Sequence, residues 1–249
     1  MKAKDTISIL GYDIFTGSRE FFTNGFTGVV NTLNPHSYVM ARNDGLFCEA
    51  LKSADCLIPD GVGIKYAARF LEKQKLEKIT GSDLHEIIIS SLDKSGGSCF
   101  YLGSSDETLL KIRERLAREY SAVKAGTFSP PFKDVFSEEE NIEMISAVNS
   151  FCPDVLFVGM TAPKQEKWVH ENRDKLKVPL ICSIGAVFDF YAGTVQRSGT
   201  FWISMGLEWL PRLLREPRRL WKRNFISTPL FLYYVYVEKV KLTLKRMKR

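Results

Sequence analysis

The sequence lacks the common motifs for binding a metal ion, for binding phosphate and for nucleophilic catalysis by serine. Its three histidines lie far apart, no His/Cys cluster has the spacing of metal ligands, and no Asp-x-Asp is present to hold a metal ion on a diphosphate. A phosphate-binding P-loop and a Gly-x-Ser-x-Gly turn are also absent. We therefore expect neither a metal ion nor a resident cofactor.

The glycine fingerprint of dinucleotide-binding proteins is incomplete. Gly61-x-Gly63 follows an apolar run, but Tyr66 stands where the third glycine would be. A nucleotide-cofactor oxidoreductase is therefore poorly supported.

Disulfide and redox motifs are absent as well. The cysteines are five, an odd number, and no Cys-x-x-Cys occurs. Cys56, Cys99 and Cys182 fall in apolar stretches with the character of strands. We expect them to be buried thiols of a protein in a reducing compartment.

The sequence has no hydrophobic segment that is long enough for a membrane span. No run of 18 apolar residues occurs, and residues 1–11 lack the long apolar region of a signal peptide. The longest apolar run, at 230–237, is too short to cross a bilayer. It is long enough to enter the membrane interface.

Positive charge is concentrated at one end of the chain. Residues 211–249 hold 12 Lys/Arg against 2 Asp/Glu, a net charge of +10 within a total of +6, which leaves −4 on the rest. A basic, aromatic tail on a mildly acidic body indicates an anionic partner, either a phosphate, a nucleic acid or an anionic membrane surface. A solvated basic helix is the alternative.

Short apolar runs alternate with helical patterns over the first 195 residues. This pattern predicts an α/β fold with a mostly parallel sheet covered by helices on both faces. Residues 1–195 are expected to form the core and 196–249 a basic, aromatic helical appendage. Helices are expected at 18–33, 41–52, 63–72, 83–92, 107–119, 138–150, 164–176 and 230–249. Strands are expected at 6–10, 36–39, 56–58, 98–102, 154–159 and 179–184.

Pro-Asp-Gly-Val-Gly at 59–63 lies between a predicted strand and a predicted helix. Ligands of open α/β sheets bind at the carboxyl ends of strands, and glycines let the backbone approach a ligand. Asp60 would face that ligand and accept a proton. The alternative is a tight turn in which Asp60 caps the helix.

Polar residues also follow three other predicted strands. Thr32 and Asn34 have side chains that suit sugar hydroxyls, with loop capping as the alternative. Residues 159–168 end a buried strand and place Gln165, Glu166 and Trp168 in the first turns of a helix after Pro163. An amide, an acid and an indole suit a sugar or a nucleotide. The alternative is a first helical turn whose side chains complement the helix dipole. Residues 185–193 form a glycine-bounded loop with Asp189, followed by Arg197.

Residues 206–221 interleave arginines with Trp and Leu. Arginine binds phosphate through two hydrogen bonds and keeps its charge when it is partly desolvated. This mixture is typical of a phosphate site at an apolar interface. The alternative is a helix in plain solvent.

These motifs, in this order, resemble the WecG/TagA/CpsF family of bacterial glycosyltransferases (glycosyltransferase family 26). The resemblance extends over about residues 7–225. Its most specific segments are Pro-Asp-Gly-x-Gly at 59–63, Pro-Lys-Gln-Glu-x-Trp at 163–168, Phe-Asp-x-x-Ala-Gly at 188–193 and Leu-Glu-Trp-Leu-x-Arg-Leu with Glu-Pro-x-Arg at 207–219.

The resemblance implies transfer of N-acetylmannosamine, its uronic acid, glucose or a similar sugar from a UDP-sugar to a polyprenyl-pyrophosphate-linked sugar. Transfer would proceed with inversion and without a metal ion. The implied product is a cell-surface polysaccharide or teichoic acid. The protein would lie in the cytoplasm, peripherally on the inner face of the plasma membrane, and a homo-oligomer is left open. The alternative function is nucleic-acid binding through the basic tail.

The resemblance implies a Rossmann-like α/β domain with a C-terminal appendage. Together with the motifs described above, it also gives the expected site residues. The catalytic group would comprise Asp60 as general base with Asn34 and Gln165. Residues expected to bind substrate are Thr32, Gly61, Gly63, Thr80, Asp83, Gly103, Pro163, Glu166, Asp189 and Arg197. Those expected to bind the acceptor pyrophosphate are Arg212, Arg215, Arg218, Arg219 and Arg223.

Overall fold

A computed structural model of the protein describes residues 2–77, 79–195, 209–215 and 217–247. The strands it contains are β1 (Thr6–Ile9), β2 (Tyr12–Phe15), β3 (Gly28–Leu33), β4 (Cys56–Pro59), β5 (Ser98–Gly103), β6 (Lys124–Phe128), β7 (Val155–Gly159) and β8 (Leu180–Ser183). β1 and β2 form an antiparallel hairpin. The other six strands form one parallel sheet in the order β4-β3-β8-β7-β5-β6, so the predicted fold class is confirmed.

The helices fall between the strands and after β8. They are α1 (Pro35–Ala41), α2 (Gly45–Ser53), α3 (Val62–Glu72), α4 (Gly81–Ser95), α5 (Asp106–Glu119), α6 (Glu138–Phe151), α7 (Lys164–Asn172), α8 (Val187–Ala192), α9 (Trp209–Arg215), α10 (Pro217–Trp221) and α11 (Thr228–Met247). Short 3-10 turns occupy Arg19–Phe22 and Arg173–Lys175, and a π-helical turn, Lys222–Ser227, joins α10 to α11.

The parallel sheet is buried on both faces. Val155–Gly159 is buried throughout, although alternate side chains point in opposite directions. Phe157 packs on one face with apolar residues of α4, α5 and α8. Leu156 packs on the other with residues of α6 and α7. Continuous apolar strands are therefore explained by two covering layers.

The predictions for residues 18–39 were wrong. The expected helix at 18–33 contains instead a 3-10 turn and strand β3, and the expected strand at 36–39 lies within α1. Val29 and Val30 favour a strand. Asn34 and Pro35 begin the helix, because the Asn34 side chain accepts a hydrogen bond from the Ser37 amide and proline is favoured in a first turn.

The C-terminal helix packs on the body of the protein. Phe231 and Val235 of α11 are buried with residues of α1 and α3. Lys239 Nζ donates hydrogen bonds to the carbonyl groups of Phe70 and Leu71, at the end of α3. The boundary at residue 195 stays a prediction. In the described part of the chain, every helix is too short or too polar to cross a membrane.

Candidate active site

Strands β3 and β4 bring their carboxyl ends together. They run in parallel, with Leu33 beside Pro59. The backbone amide of Asp60 donates a 2.8 Å hydrogen bond to the carbonyl of Leu33. The loops after β3 and β4 therefore leave the same edge of the sheet as neighbours, and β8 and β7 follow on the other side of β3.

Asp60 is half-buried, and its side chain does not cap α3. The N-cap of that helix is Gly61, which makes no side-chain capping bond. Within the described residues, the Asp60 carboxylate makes no hydrogen bond or ion pair. Gly61 has φ +86°, in the region that favours glycine, and a Cβ added there would meet no atom within 4 Å. The turn thus presents a carboxylate beside open space.

Gly63 has a packing role. A Cβ added to it would lie 2.4 Å from Pro35 Cγ and 3.6 Å from Phe231 Cε1. A side chain at this position would push α3 away from α1. The contact explains glycine at position 63 without a substrate, so its predicted role in substrate binding stays untested.

Thr32 and Asn34 lie on either side of the last residue of β3. Thr32 is half-buried and pairs in register with Ile58 of β4. Asn34 Oδ1 accepts a 3.0 Å hydrogen bond from the Ser37 amide. The alternative of loop capping is therefore correct for Asn34 Oδ1, while the residue still stands at the edge of the sheet next to Asp60.

Thr80 and Asp83 form a capping box at the start of α4. The Asp83 carboxylate accepts hydrogen bonds from the Thr80 amide at 2.8 Å and hydroxyl at 2.7 Å, and the Asp83 amide donates back to the Thr80 hydroxyl at 3.2 Å. Next to Thr80, a Cβ added at Gly81 would lie 3.0 Å from Val187 Cγ2. The capping box thus stabilises the start of α4, and the absence of a side chain at Gly81 lets it approach the segment after β8 closely.

Gly103 allows the backbones of β5 and β7 to approach closely at their carboxyl ends. Its φ is +119°, and an added Cβ would lie 2.5 Å from the carbonyl oxygen of Gly159. Gly159 in turn lies against the ring of Phe188. Both positions require glycine for close approach of the backbone.

The turn between β7 and α7 carries a buried polar pair. A cis Ala162–Pro163 peptide precedes α7. Gln165 is 3% exposed and Glu166 2%. Gln165 Oε1 accepts a 3.3 Å hydrogen bond from the Met160 amide, and Gln165 Nε2 donates one of 2.9 Å to Glu166 Oε1. Burial raises the pKa of Glu166 to about 7.

Trp168 does not belong to the site. Its ring is buried in the cluster that contains Leu156 and Val169. Its Nε1 donates a 2.8 Å hydrogen bond to Asn141 Oδ1. The interpretation of this indole as a sugar-binding group was wrong.

Asp189 lies in the first turn of α8, after β8. Its backbone carbonyl accepts hydrogen bonds from the Thr194 hydroxyl at 3.1 Å and the Val195 amide at 3.2 Å. These bonds fold the end of the described core back on α8. Arg197 lies outside the described residues.

The appendage reaches the site through a histidine that the sequence analysis overlooked. His36 Nδ1 lies 2.9 Å from Ser227 Oγ. Burial lowers the pKa of His36, and the charge of Arg223 lowers it further. His36 is two residues from Asn34, so Arg223 is brought near the carboxyl edge of β3. Of the other arginines, Arg218 is exposed, and the side chains of Arg212, Arg215 and Arg219 lie outside the described residues.

A parallel sheet with an acid-bearing glycine turn and a buried amide at its carboxyl edge defines a Rossmann-like α/β enzyme. Comparison of the amino-acid sequence with protein families identifies the kind of enzyme. The model of the WecG/TagA/CpsF family of glycosyl transferases matches residues 12–245, so the chain belongs to this family and is a glycosyltransferase.

Two relatives from Bacillus carry the same name, N-acetylglucosaminyldiphosphoundecaprenol N-acetyl-beta-D-mannosaminyltransferase. The relative from Bacillus spizizenii is 28% identical over 201 residues, which cover 81% of this chain and 76% of the relative. The one from Bacillus subtilis strain 168 is 27% identical over 212 residues, which cover 84% and 79%.

Proposed function

We propose that this protein transfers N-acetylmannosamine or a similar sugar from a UDP-sugar to a polyprenyl-diphosphate-linked sugar, for a bacterial cell-surface polymer. The observation that carries the proposal is the Asp60 carboxylate, held at the carboxyl end of β4 with no protein partner among the described residues. The names of the two Bacillus relatives support the choice of sugar and of lipid-linked acceptor.

The donor is proposed to lie along the edge of the sheet from Asp60 to Gln165. Three strand spacings, about 14 Å, separate β4 from β7. An extended nucleotide-sugar is of that size. The main-chain amides at the start of α3 face this edge, and the partial positive charge of a helix N-terminus favours the diphosphate.

Asp60 is the proposed general base. Its carboxylate takes the proton of the acceptor hydroxyl while the acceptor oxygen forms a bond to the anomeric carbon. On the opposite face of that carbon, the bond to the diphosphate oxygen breaks and UDP leaves with the electron pair. The configuration is thereby inverted. Hydrogen-bond donors and arginines, rather than a metal ion, are proposed to stabilise the leaving diphosphate.

The arginines of the appendage are proposed to bind the acceptor pyrophosphate. Arg223 is the best supported, because its charge acts on His36, close to Asn34 and Asp60. Arg212, Arg215, Arg218 and Arg219 precede it on α9 and α10. A lipid pyrophosphate held by this segment would bring its sugar toward the base.

The appendage is also the proposed membrane-binding surface. One side of α11 is buried, while Leu232, Tyr236 and Val240 recur every four residues and are exposed. Lys241 and Lys245 are exposed on the same helix. Apolar area with basic residues fits a peripheral position at an anionic bilayer surface.

The transfer reaction is testable with purified full-length protein. The protein is incubated with a panel of UDP-sugars and a short-chain polyprenyl diphosphate N-acetylglucosamine, and the products are weighed by mass spectrometry. We expect a mass increase of one sugar residue with UDP-N-acetylmannosamine or a related donor. No product with any donor would contradict the proposed function.

A further inference from the structure

Both the oxygen and the nitrogen of the Gln165 side-chain amide make hydrogen bonds within the protein. The backbone N–H of Met160 is a donor only, so the group 3.3 Å from it must be the amide oxygen. The nitrogen then faces Glu166 Oε1 at 2.9 Å. Turning the amide over would place its NH₂ group against the N–H of Met160. The Met160 amide and the Glu166 carboxyl group therefore hold the Gln165 side chain in one orientation together.

The amide lies at the edge where ligands are expected. A Cβ added at Gly185, in the loop after β8, would lie 3.5 Å from Gln165 Nε2 and 3.6 Å from Oε1. Gln165 thus bridges the loops after β7 and β8. One N–H of Nε2 is used by Glu166, which leaves the second N–H for another acceptor.

Glu166 Oε2 is one of four buried side-chain oxygens that make no hydrogen bond among the described residues. The other three are Asn31 Oδ1, Ser183 Oγ and the Tyr191 hydroxyl. Val29 and Ile181 pair in register and pack with α7. Asn31 and Ser183 lie two residues further along the same strands and so project from the same face.

A buried polar side chain that only stabilised the fold would have its hydrogen bonds satisfied within the protein. Here a carboxyl group is buried, with one oxygen on Gln165 and the other without a hydrogen bond among the described residues. Such an arrangement lowers stability and is retained where it has a role in function. Gln165, the partner of Glu166, lies at the edge of the sheet where a ligand is expected.

We propose that Glu166 is a positioning residue whose carboxyl group holds the Gln165 amide with an N–H directed at an oxygen of the bound nucleotide-sugar. This inference rests on the proposed function. Glu166 does not touch the donor. It acts through Gln165, whose hydrogen bond to the donor is made without a further ordering cost because the amide is already fixed.

Three substitutions of Glu166 separate positioning from packing. Glu166→Met fills a similar volume but accepts no hydrogen bond. Glu166→Asp keeps the carboxyl group and withdraws it by one methylene. Glu166→Gln keeps an oxygen at the same reach. We expect kcat/KM for the UDP-sugar to fall about 10- to 100-fold in the Met and Asp variants and to stay within about threefold of wild type in the Gln variant.

A second measurement tests whether Glu166 acts through its neighbour. Gln165→Met alone should lower kcat/KM as much as the double variant with Glu166→Met, because two residues of one unit are not additive. The KM for the acceptor should stay unchanged. Glu171→Met, on the exposed side of the same helix, is the control and should behave as wild type.

The outcomes are distinct. Wild-type activity in Glu166→Met and Glu166→Asp, or equal losses in Glu166→Gln and Glu166→Met, would overturn the positioning role. So would additive losses in the double variant. If Glu166→Met does not fold, the comparison of kcat/KM between Glu166→Asp and Glu166→Gln still tests the positioning role. Failure of the wild-type protein to transfer sugar from any donor would instead contradict the proposed function.

Discussion

Phe231 packs against Tyr38 with ring centroids 5.4 Å apart and ring planes at 80°. Phe231 belongs to the C-terminal helix and Tyr38 to the first helix after β3. This contact joins the appendage to the helix whose N-cap is Asn34, and the Phe231 ring also lies near Gly63, three residues after Asp60. One side of α11 therefore packs on the body of the protein, while its other side is exposed to solvent.

Phe231→Ala should lower the free energy of unfolding by about 3 kcal/mol, since truncating a buried phenylalanine leaves a cavity. Chemical denaturation of the full chain measures this change. Tyr233→Ala, at a residue 59% exposed on the same helix, is the control and should change stability by under about 0.5 kcal/mol. Equal effects of the two substitutions would show that α11 does not pack as described.

Asp60→Asn preserves the shape of the side chain and removes the proton acceptor. Turnover should fall about 10²- to 10⁴-fold, with affinity for UDP nearly unchanged. Steady-state kinetics and calorimetric titration with UDP measure the two quantities. Asp13→Asn, on the exposed side of β2, serves as control. Near wild-type turnover of Asp60→Asn at saturating substrate would remove Asp60 from the role of base.

Glu166 should make stability depend on pH. Its pKa is raised by burial from 4.5 to about 7, so the unfolded chain loses this proton at lower pH than the folded protein. Glu166 contributes fully to the free energy of unfolding below pH 4.5, and this contribution declines as the pH rises to about 7. Above that pH, the free energy of unfolding is lower than at pH 4.5 by on the order of 3 kcal/mol.

Urea denaturation measures this dependence. The free energy of unfolding of the wild type and of Glu166→Gln is determined at pH 5 and at pH 8. The variant has no carboxyl group to ionise, so its stability relative to the wild type should rise from pH 5 to pH 8. Parallel pH dependences of the two proteins would show that Glu166 does not titrate in this range.

Transfer should not require a divalent cation, as the missing Asp-x-Asp predicts. The initial rate with excess EDTA should equal that of the untreated enzyme within about twofold. The leaving-group chemistry proposed here would be wrong if activity disappeared on chelation and returned with magnesium or manganese.

Membrane binding should depend on the exposed side of α11. Replacing Leu232, Tyr233 and Tyr236 by serine should abolish flotation with anionic vesicles and leave the unfolding midpoint nearly unchanged. Deleting 226–249 is a poorer test, because it also removes buried Phe231 and Val235. Retention on oligonucleotides with no affinity for vesicles would favour the nucleic-acid alternative. Flotation of the triple variant would place membrane contact elsewhere.

The sequence predicts β5, α5 and β7 well, whereas β6 and α8 were not predicted. The helix that ends at Glu119 begins after Ser105, whose side chain caps it, and β7 has the buried, continuous apolar character of a strand covered on both faces. For residues 18–39 the hydrophobic pattern predicts a helix, whereas the chain forms β3 and begins α1 after Asn34. The helix start at Asn34-Pro35 was nevertheless visible.

The candidate site was predictable by position but less so by role. Asp60 and Gln165 were found at strand ends. Thr80 and Asp83 are used in a capping box, and Gly103 is needed for backbone contact, which sequence alone does not distinguish from ligand binding. His36 was missed since its partner Ser227 is 191 residues away, and no local pattern connects them.

Helix α3 is held by α11 at both of its ends. Phe231 meets it near Gly63, and Lys239 bonds to the carbonyls of Phe70 and Leu71. A residue inserted between these two points would turn the far end of α3 by about 100° and break one contact. The length of α3 is thus fixed to within a residue, and homologues that keep the C-terminal helix should show no insertions or deletions between positions 63 and 71.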